Sequence, residues 1–464
     1  MAMSLSRYPR YPAYKDSGVE WLGEVPAHWE VPKMWHVSKA VSGGTPNKDE
    51  PRFWNGDIPW VSPKDMKRLV IDRSQDSITE AALEESGLHL VQPQAVLVVV
   101  RGMILAHTFP VAVTAVPVTI NQDMKAIHFS RAIDPMFAAR YLEGTGNGLL
   151  SVIVDEAAHG TKAIRMEQWR GVAFLRPPLE EQKCITTFLD RETARIDALI
   201  DKKRKLIELL QEQRAAIITR AVTRGLDPHA PMKDSGVEWL GAIPVHWRAL
   251  RLKQLLAQIE QGWSPDCENR IAAPEEWGVM KAGCVNGGRF NQMEHKTLPA
   301  EVYPPKSLEI RPGDLLMSRA SGSRELVGSV AVVRECRSQL LLCDKLFRLY
   351  PDEQNDARYL ANALSSKSAR AQIEVALSGG SGMANNIAQS VVKDLLLGVP
   401  DREEQERIAN FLDHETTRFD SVMKVVCRAM DQLLDLRSSL ITAAVTGAID
   451  VRASLDADAR IDAA

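Results

Sequence analysis

Residues 43–66 carry Thr45, Lys48, Ser62 and Lys64 among turn formers, and Asn121, Gln122 and Lys125 fall within five positions of one another. Arg101 closes the apolar run Val96–Val100 and is followed by Gly102 and His107. Thr161 and Lys162 lie in a polar, glycine-bearing loop. The second half of the chain offers a similar set: Trp263, Lys281, Ser318, Arg319, Ser321, Arg324, Lys345, Ser381, Asn385 and Asn386. These are donors, acceptors and cations without a nucleophile–base pairing. Arg and Lys suit guanine edges, Asn and Gln suit adenine, and hydroxyls, Lys and backbone amides suit phosphates. The chemistry they allow is recognition of double-stranded DNA. Bland readings stand beside it. Trp54 and Trp60 fit core packing, Arg101 fits a structural ion pair, Asn121 fits a turn, and the late loops fit tolerant surface.

Catalytic signatures are missing. The sequence has no G-x-x-x-x-G-K-[ST], no Asn-Pro-Pro-Tyr, no H-E-x-x-H and no G-x-S-x-G. Gly144, Gly146 and Gly148 follow a helical pattern rather than a strand, and Pro265-Asp266 lacks a suitably spaced Glu-x-Lys. The six cysteines form no C-x-x-C pair, which suits reduced thiols in a cytoplasm and no zinc site. No apolar run reaches the ~18 residues of a membrane span, and the N-terminal residues lack a signal-peptide core. The expectation is a cytoplasmic chain with no catalytic residue, metal or cofactor of its own. Net charge is −3, and both candidate DNA-reading windows are nearly balanced. Electrostatic attraction to DNA must therefore come from local arrangement or from a partner.

The elements that position these residues are duplicated. Residues 15–23 read KDSGVEWLG, and residues 233–241 read KDSGVEWLG again; Pro26, His28 and Trp29 then match Pro244, His246 and Trp247. Residues 180–190 read EEQKCITTFLD against EEQERIANFLD at 403–413, and Ala221-Val222-Thr223 matches Ala444-Val445-Thr446. Arg140-Tyr141-Leu142 parallels Arg358-Tyr359-Leu360. Such a repeat is read before anything else. Its order is circular, so the two ends of the chain are expected to lie close together. Each half also holds a long helical pattern without Pro or Gly. Its seam is read as Leu189, Ile196, Leu199, Leu206, Leu210 and Ile217, and as Leu412, Phe419, Val422, Val426, Leu433 and Leu440. That period of 3.5 predicts coiled coil.

The predicted fold class is α+β: two like domains related by pseudo-two-fold symmetry and joined by two long antiparallel coiled-coil helices. The expected boundaries are a lead-in segment at 1–30 packing near the C-terminal helix, a first recognition domain at 31–178, and a first helical spacer at 179–228. A linker with the repeated lead-in follows at 229–247, then a second recognition domain at 248–400, a second spacer at 401–450 and a tail at 451–464.

These elements together resemble the specificity subunits of type I restriction–modification enzymes. The resemblance rests on KDSGVEWLG…P-x-HW at both halves, GGTP…FWNGDIPWVSPKDM, VVVRGMILAHTFPVA…NQDMKA, and EEQ…FLD…AVT at both helices. It implies that each variable region is an α/β target recognition domain with a curved sheet, that each reads one half of an asymmetric bipartite DNA site, and that the helices set the spacer. It also implies two methyltransferase subunits and restriction/translocase subunits as partners. S-adenosylmethionine, ATP and Mg would then belong to those partners. Two other readings remain: a nuclease or methyltransferase with an unrecognised site, and a protein-only coiled-coil scaffold.

Overall fold

Val96–Val99 is a strand buried along its whole length, which is why it reads as an unbroken apolar run. In the computed structural model it sits at the centre of the larger sheet of the first unit. The structure describes residues 7–156, 161–378 and 385–452. The chain divides into two compact units, Met1–Lys203 with Arg428–Ala464, and Arg204–Cys427.

In the first unit the strands are β1 (Ser38–Ser42), β2 (Trp54–Val61), β3 (Val70–Ile71), β4 (Asp76–Ile78), β5 (Val96–Val99), β6 (Val111–Thr114), β7 (Thr119–Ile120) and β8 (Met124–Phe129). They form a five-stranded sheet in the order β1-β8-β5-β6-β3 and a three-stranded sheet in the order β4-β2-β7. Helix α1 (Pro135–Ile153) covers the larger sheet, and the long helix α2 (Leu179–Arg224) follows. In the second unit the strands are β9 (Leu256–Gln261), β10 (Gly278–Met280), β11 (His295–Thr297), β12 (Leu315–Ser318), β13 (Val330–Val332), β14 (Leu340–Leu341) and β15 (Leu346–Pro351). Their sheets run β9-β15-β12-β13 and β11-β10-β14. Apart from β3, each strand of these sheets has its counterpart in the same place; short two-stranded pairs, among them Val154–Glu156 with Lys162–Ile164 and Arg248–Arg251 with Leu396–Val399, lie outside them. Helices α3 (Ala357–Leu364) and α4 (Lys367–Ser378) then lead to the second long helix, α5 (Arg402–Val445).

The repeated motifs turn out to be joints. Glu181 is buried and takes the Trp29 indole N–H at 3.1 Å, with the His28 ring nitrogen 2.8 Å away. Glu404 takes Trp247 at 3.2 Å and lies 2.7 Å from His246. The next residue grips the recognition domain. Gln182 Oε1 accepts from the N–H of Asp134, whose carboxylate caps α1 by accepting from Phe137 N–H. Gln405 accepts from the N–H of Asp356, which caps α3 through Tyr359 N–H. Both glutamines are buried. Arg140 then reaches Asp190 at 2.7 Å, as Arg358 reaches Asp413 at 3.2 Å. The lead-in segment is also held by the last part of the chain: Tyr14 donates to the Gly447 carbonyl and Asp450 N–H donates to the Pro9 carbonyl.

Within the second unit α2 and α5 run antiparallel, since Arg214 faces Asp420 while Gly225 lies beside Glu404. Within the first, Asp197 faces Arg437, and Glu181 and Gly447 both meet Trp29. The helix seam needs a correction. Leu189, Ile196, Leu412, Val426 and Leu440 are buried, and Leu210, Ile217, Phe419 and Leu433 are half-buried, but Leu199, Leu206 and Val422 are exposed. The alternate positions are filled one residue later: Ile200 is buried, and Ile207, Met423 and Met430 are half-buried. Apolar residues flank both sides of the first row, so its period alone admits a partner row at three or at four residues' distance. Packing in each unit selects the latter.

Candidate nucleic-acid interface

Arg101 stands at the mouth of β5 in a backbone frame. The N–H groups of Val100 and Arg101 both donate to the Asp123 carbonyl, at 2.8 and 3.3 Å. On the other side Gly102 N–H donates to the Lys162 carbonyl, and Arg101 bridges Ala163. One strand end is thus flanked by the β7–β8 turn, with Gln122 and Lys125, and by the loop bearing Thr161 and Lys162. A third loop closes in. Gly43 approaches the Asn121 carbonyl so tightly that an added Cβ would lie 2.1 Å from it, so only glycine fits. Thr45 then bonds Gln122, and Lys125 donates to Ser42 Oγ at 2.7 Å.

The small sheet holds the remaining loops. Trp54 and Trp60 meet edge-to-face with centroids 5.3 Å apart, beside Phe53 and Ile78. Their indole N–H groups donate to the carbonyls of Asn47 and Gly44. Both tryptophans therefore pack, as expected, and also pin the turns that present Thr45 and Lys48. Arg101, His107, Lys48 and Lys64 are exposed, and their side chains engage no other described residue. Thr161 and Lys162 are half-buried.

The second domain repeats the frame with other side chains. Arg319 N–H donates to the Lys345 carbonyl, Ile387 N–H donates back to Arg319, and Ala320 bridges Asn386. Gly262 makes the close approach that Gly43 makes, 2.2 Å from Cβ to the Leu342 carbonyl. This gathers Arg319, Lys345, Asn385 and Asn386 with the half-buried Trp263. Lys281 follows β10 as Lys64 follows β2, each behind a strand with a parallel neighbour. The side chains of Lys345 and Asn386 are exposed without a described partner.

Several expected base contacts are instead committed inside the protein. Ser62 is buried and donates to Asp65, Asn121 is buried and accepts from Asp123 N–H, and Ser318 is buried against the Ala320 carbonyl. Each shapes a turn, because a short polar side chain beside a strand end meets a backbone group first. Arg324 donates to the Glu374 carbonyl and to Ser378, at the end of α4, and Ser321 Oγ accepts from Ser323 N–H. Asn385 donates to the Gly322 carbonyl, and Arg319 to that of Asp344. Ser381 lies outside the described residues. The sequence reading missed Met103 and Ile104, exposed beside Arg101, because an apolar pair after an apolar strand reads as core.

A cleft of about 830 Å³ in the second unit is lined by Arg214, Arg289, Arg334 and Arg358. Asp420 pairs with the first two and Asp413 with the others, which ties the cleft wall to the long helix. Among the described residues no group of acidic, His and Cys side chains could hold a metal, and no helix is long and apolar enough to cross a membrane.

Residues 26–209 match the model of the type I restriction modification DNA specificity domain. The chain is 32% identical over 204 residues to the type I restriction enzyme EcoR124I/EcoR124II specificity subunit of Escherichia coli, covering 43% of this chain and 47% of that one. It is 26% identical over 303 residues to the MjaIX specificity subunit of Methanocaldococcus jannaschii, covering 62% and 66%. The matched stretch thus spans about half the length of the former relative. A solved chain from the complex assembly and conformational transition of the type I R-M system superimposes with a TM-score of 0.65 at 15% identity, over 91% of this chain and 98% of that one. At that identity the likeness is one of fold.

Proposed function

We infer that this chain belongs to the specificity subunits of type I restriction–modification systems and reads an asymmetric bipartite DNA site for its complex, a reading that the matches to that family support. The observation that carries this reading is one frame built twice with different contents. An arginine ends the central strand in each domain, flanked by a turn and a late loop, and the side chains around it differ. The first domain reads one half-site, with Arg101, Gln122 and Lys125 at base edges and Lys48 and Lys64 at phosphates. The second reads the other, with Asn386 and Lys345, while Arg319 braces the turn that carries Lys345. Each well-made bidentate contact discriminates by about 1–3 kcal/mol.

The long helices act as the spacer. Helix α2 has 46 residues, roughly 69 Å at 1.5 Å per residue, which fixes how far apart the half-sites lie. The exposed leucines and valines on their outer faces, Leu206, Leu209, Val422 and Val425 among them, provide apolar ground for two methyltransferase subunits. Those subunits, with restriction/translocase subunits, supply the chemistry and the S-adenosylmethionine, ATP and Mg it needs. Net charge of −3 fits a chain that leaves many phosphate contacts to its partners.

The test is the adenine-methylation map of the source genome with and without this chain. A split motif with two specified ends and an unspecified middle should vanish on deletion and return on complementation. An unchanged map in cells that make the protein would sink the reading.

A further inference from the structure

We propose that Met103 and Ile104 form an apolar reading tip that takes the C5-methyl group of a thymine in the half-site read by the first domain. The proposal rests on the DNA-reading function above and adds a residue pair and a target group to it. Four apolar residues follow Gly102 in one short turn, Met103–Ala106. Leu105 is buried and anchors the turn, which leaves Met103 61% and Ile104 38% exposed. The turn is well tied. Gly102 donates to the Lys162 carbonyl, and His107 and Thr108 N–H groups donate to the Ile104 carbonyl. Gly102 has φ +146, a conformation that favours glycine, and it sets the turn off sharply from the strand.

Large apolar side chains on a tethered turn are not there for want of a core position, since Leu105 has taken it. Their neighbours point to the occupant. The Arg101 guanidinium, without a partner among the described residues, and the exposed His107 bracket the pair in the chain, so an occupant that is anionic around an apolar spot suits it. A duplex fits: phosphates and acceptor edges surround a methyl group at each thymine, and the major groove shows that methyl next to the O4 acceptor. In the second domain the corresponding turn is Arg324–Leu326. Its first two residues are charged, and Arg324 is held at the end of α4. One frame thus presents an apolar tip in one domain and a charged turn in the other.

The experiment uses the chain assembled with its methyltransferase subunits and duplexes carrying the mapped site. Each thymine of the first half-site is replaced in turn by uracil, which removes the methyl alone. The wild-type complex should lose about fourfold in affinity, the effect of one buried methyl-sized group, at one thymine only. Met103→Ala with Ile104→Ala should bind the unmodified site about as weakly as the wild type binds that uracil duplex, and should be indifferent to the replacement. Met103→Leu should keep the wild-type preference, which separates lost contact from lost fold. Equal tolerance of every uracil by the wild type overturns the proposal, as does a double variant that still loses fourfold on uracil. A complex that prefers the mapped site to a scrambled duplex yet ignores uracil rejects the tip alone. One with no such preference rejects the DNA-reading function and the tip with it.

Discussion

Glu181 carries the first prediction at the residue scale. Its carboxylate is buried and satisfies the Trp29 indole and the His28 ring together. Glu181→Ala leaves a buried N–H without an acceptor and should cost about 2–3 kcal/mol in the first unit. Glu404→Ala should cost the second unit less, because Glu404 and His246 are both more exposed than their counterparts. Urea unfolding followed by tryptophan emission measures both; equal and negligible losses would count against the joint. Thiol reactivity gives a second check. Burial pushes the Cys343 thiol up to about 11 and that of Cys284 higher still, so neither offers thiolate at neutral pH. Cys427 is exposed. Iodoacetamide at pH 7.5 should label Cys427 first and reach Cys284 and Cys343 only when the second domain opens, as peptide mass mapping would show. Early labelling of Cys284 would mean that the core around β10 and β14 is looser than drawn.

At the element scale the sequence shows which helices exist but not how they are turned. A repeat of Leu189, Ile196, Leu210 and Ile217 announces α2 on its own, since seven-residue spacing has few other causes. Whether Leu199 or Ile200 completes the stripe depends on what α2 packs against, and that is long-range information. Ile200→Ala should therefore cost about 2–4 kcal/mol, whereas Leu199→Ala should stay within about 0.5 kcal/mol. Reversed costs would restore the original seam. The same limit explains the reading loops. The arginine at each strand end was legible because it closes an apolar run. Ser62, Asn121 and Ser318 were not, because a turn-capping role and a base contact call for the same short polar side chain. Helix length bears on function as well. Removing about four residues from each helix in register shortens it by roughly 6 Å and should shorten the unspecified middle of the methylated motif by about two base pairs. An unchanged middle would remove the helices from the role of ruler.

At the scale of the whole molecule the two halves differ in what their loops present and agree in how they are fastened. The fastening is short: Asp134 to Gln182, Arg140 to Asp190, and Glu30 paired through its backbone with Arg176. On the proposed function, specificity and assembly fall to different residues, and each sheet domain should be exchangeable provided its joints are kept. Replacing residues 31–178 with another such domain that retains an Asp cap and an Arg-Tyr pair at 134 and 140–141 should change one end of the methylated motif. The other end and the spacing should be unaffected, because β9–β15 and the helices are untouched. A matched exchange that also carries Arg140→Ala should lose stability by about 1–3 kcal/mol, since the buried Arg140 bonds to Glu143 and Asp190 are lost while Glu143 keeps Arg437 and Asp190 is half-exposed. Methylation mapping of the two exchanges separates the outcomes. One new end in the first and reduced methylation at all sites in the second supports division of labour between loops and joints. A change at both ends in the first would mean that the domains read the site together rather than one half each.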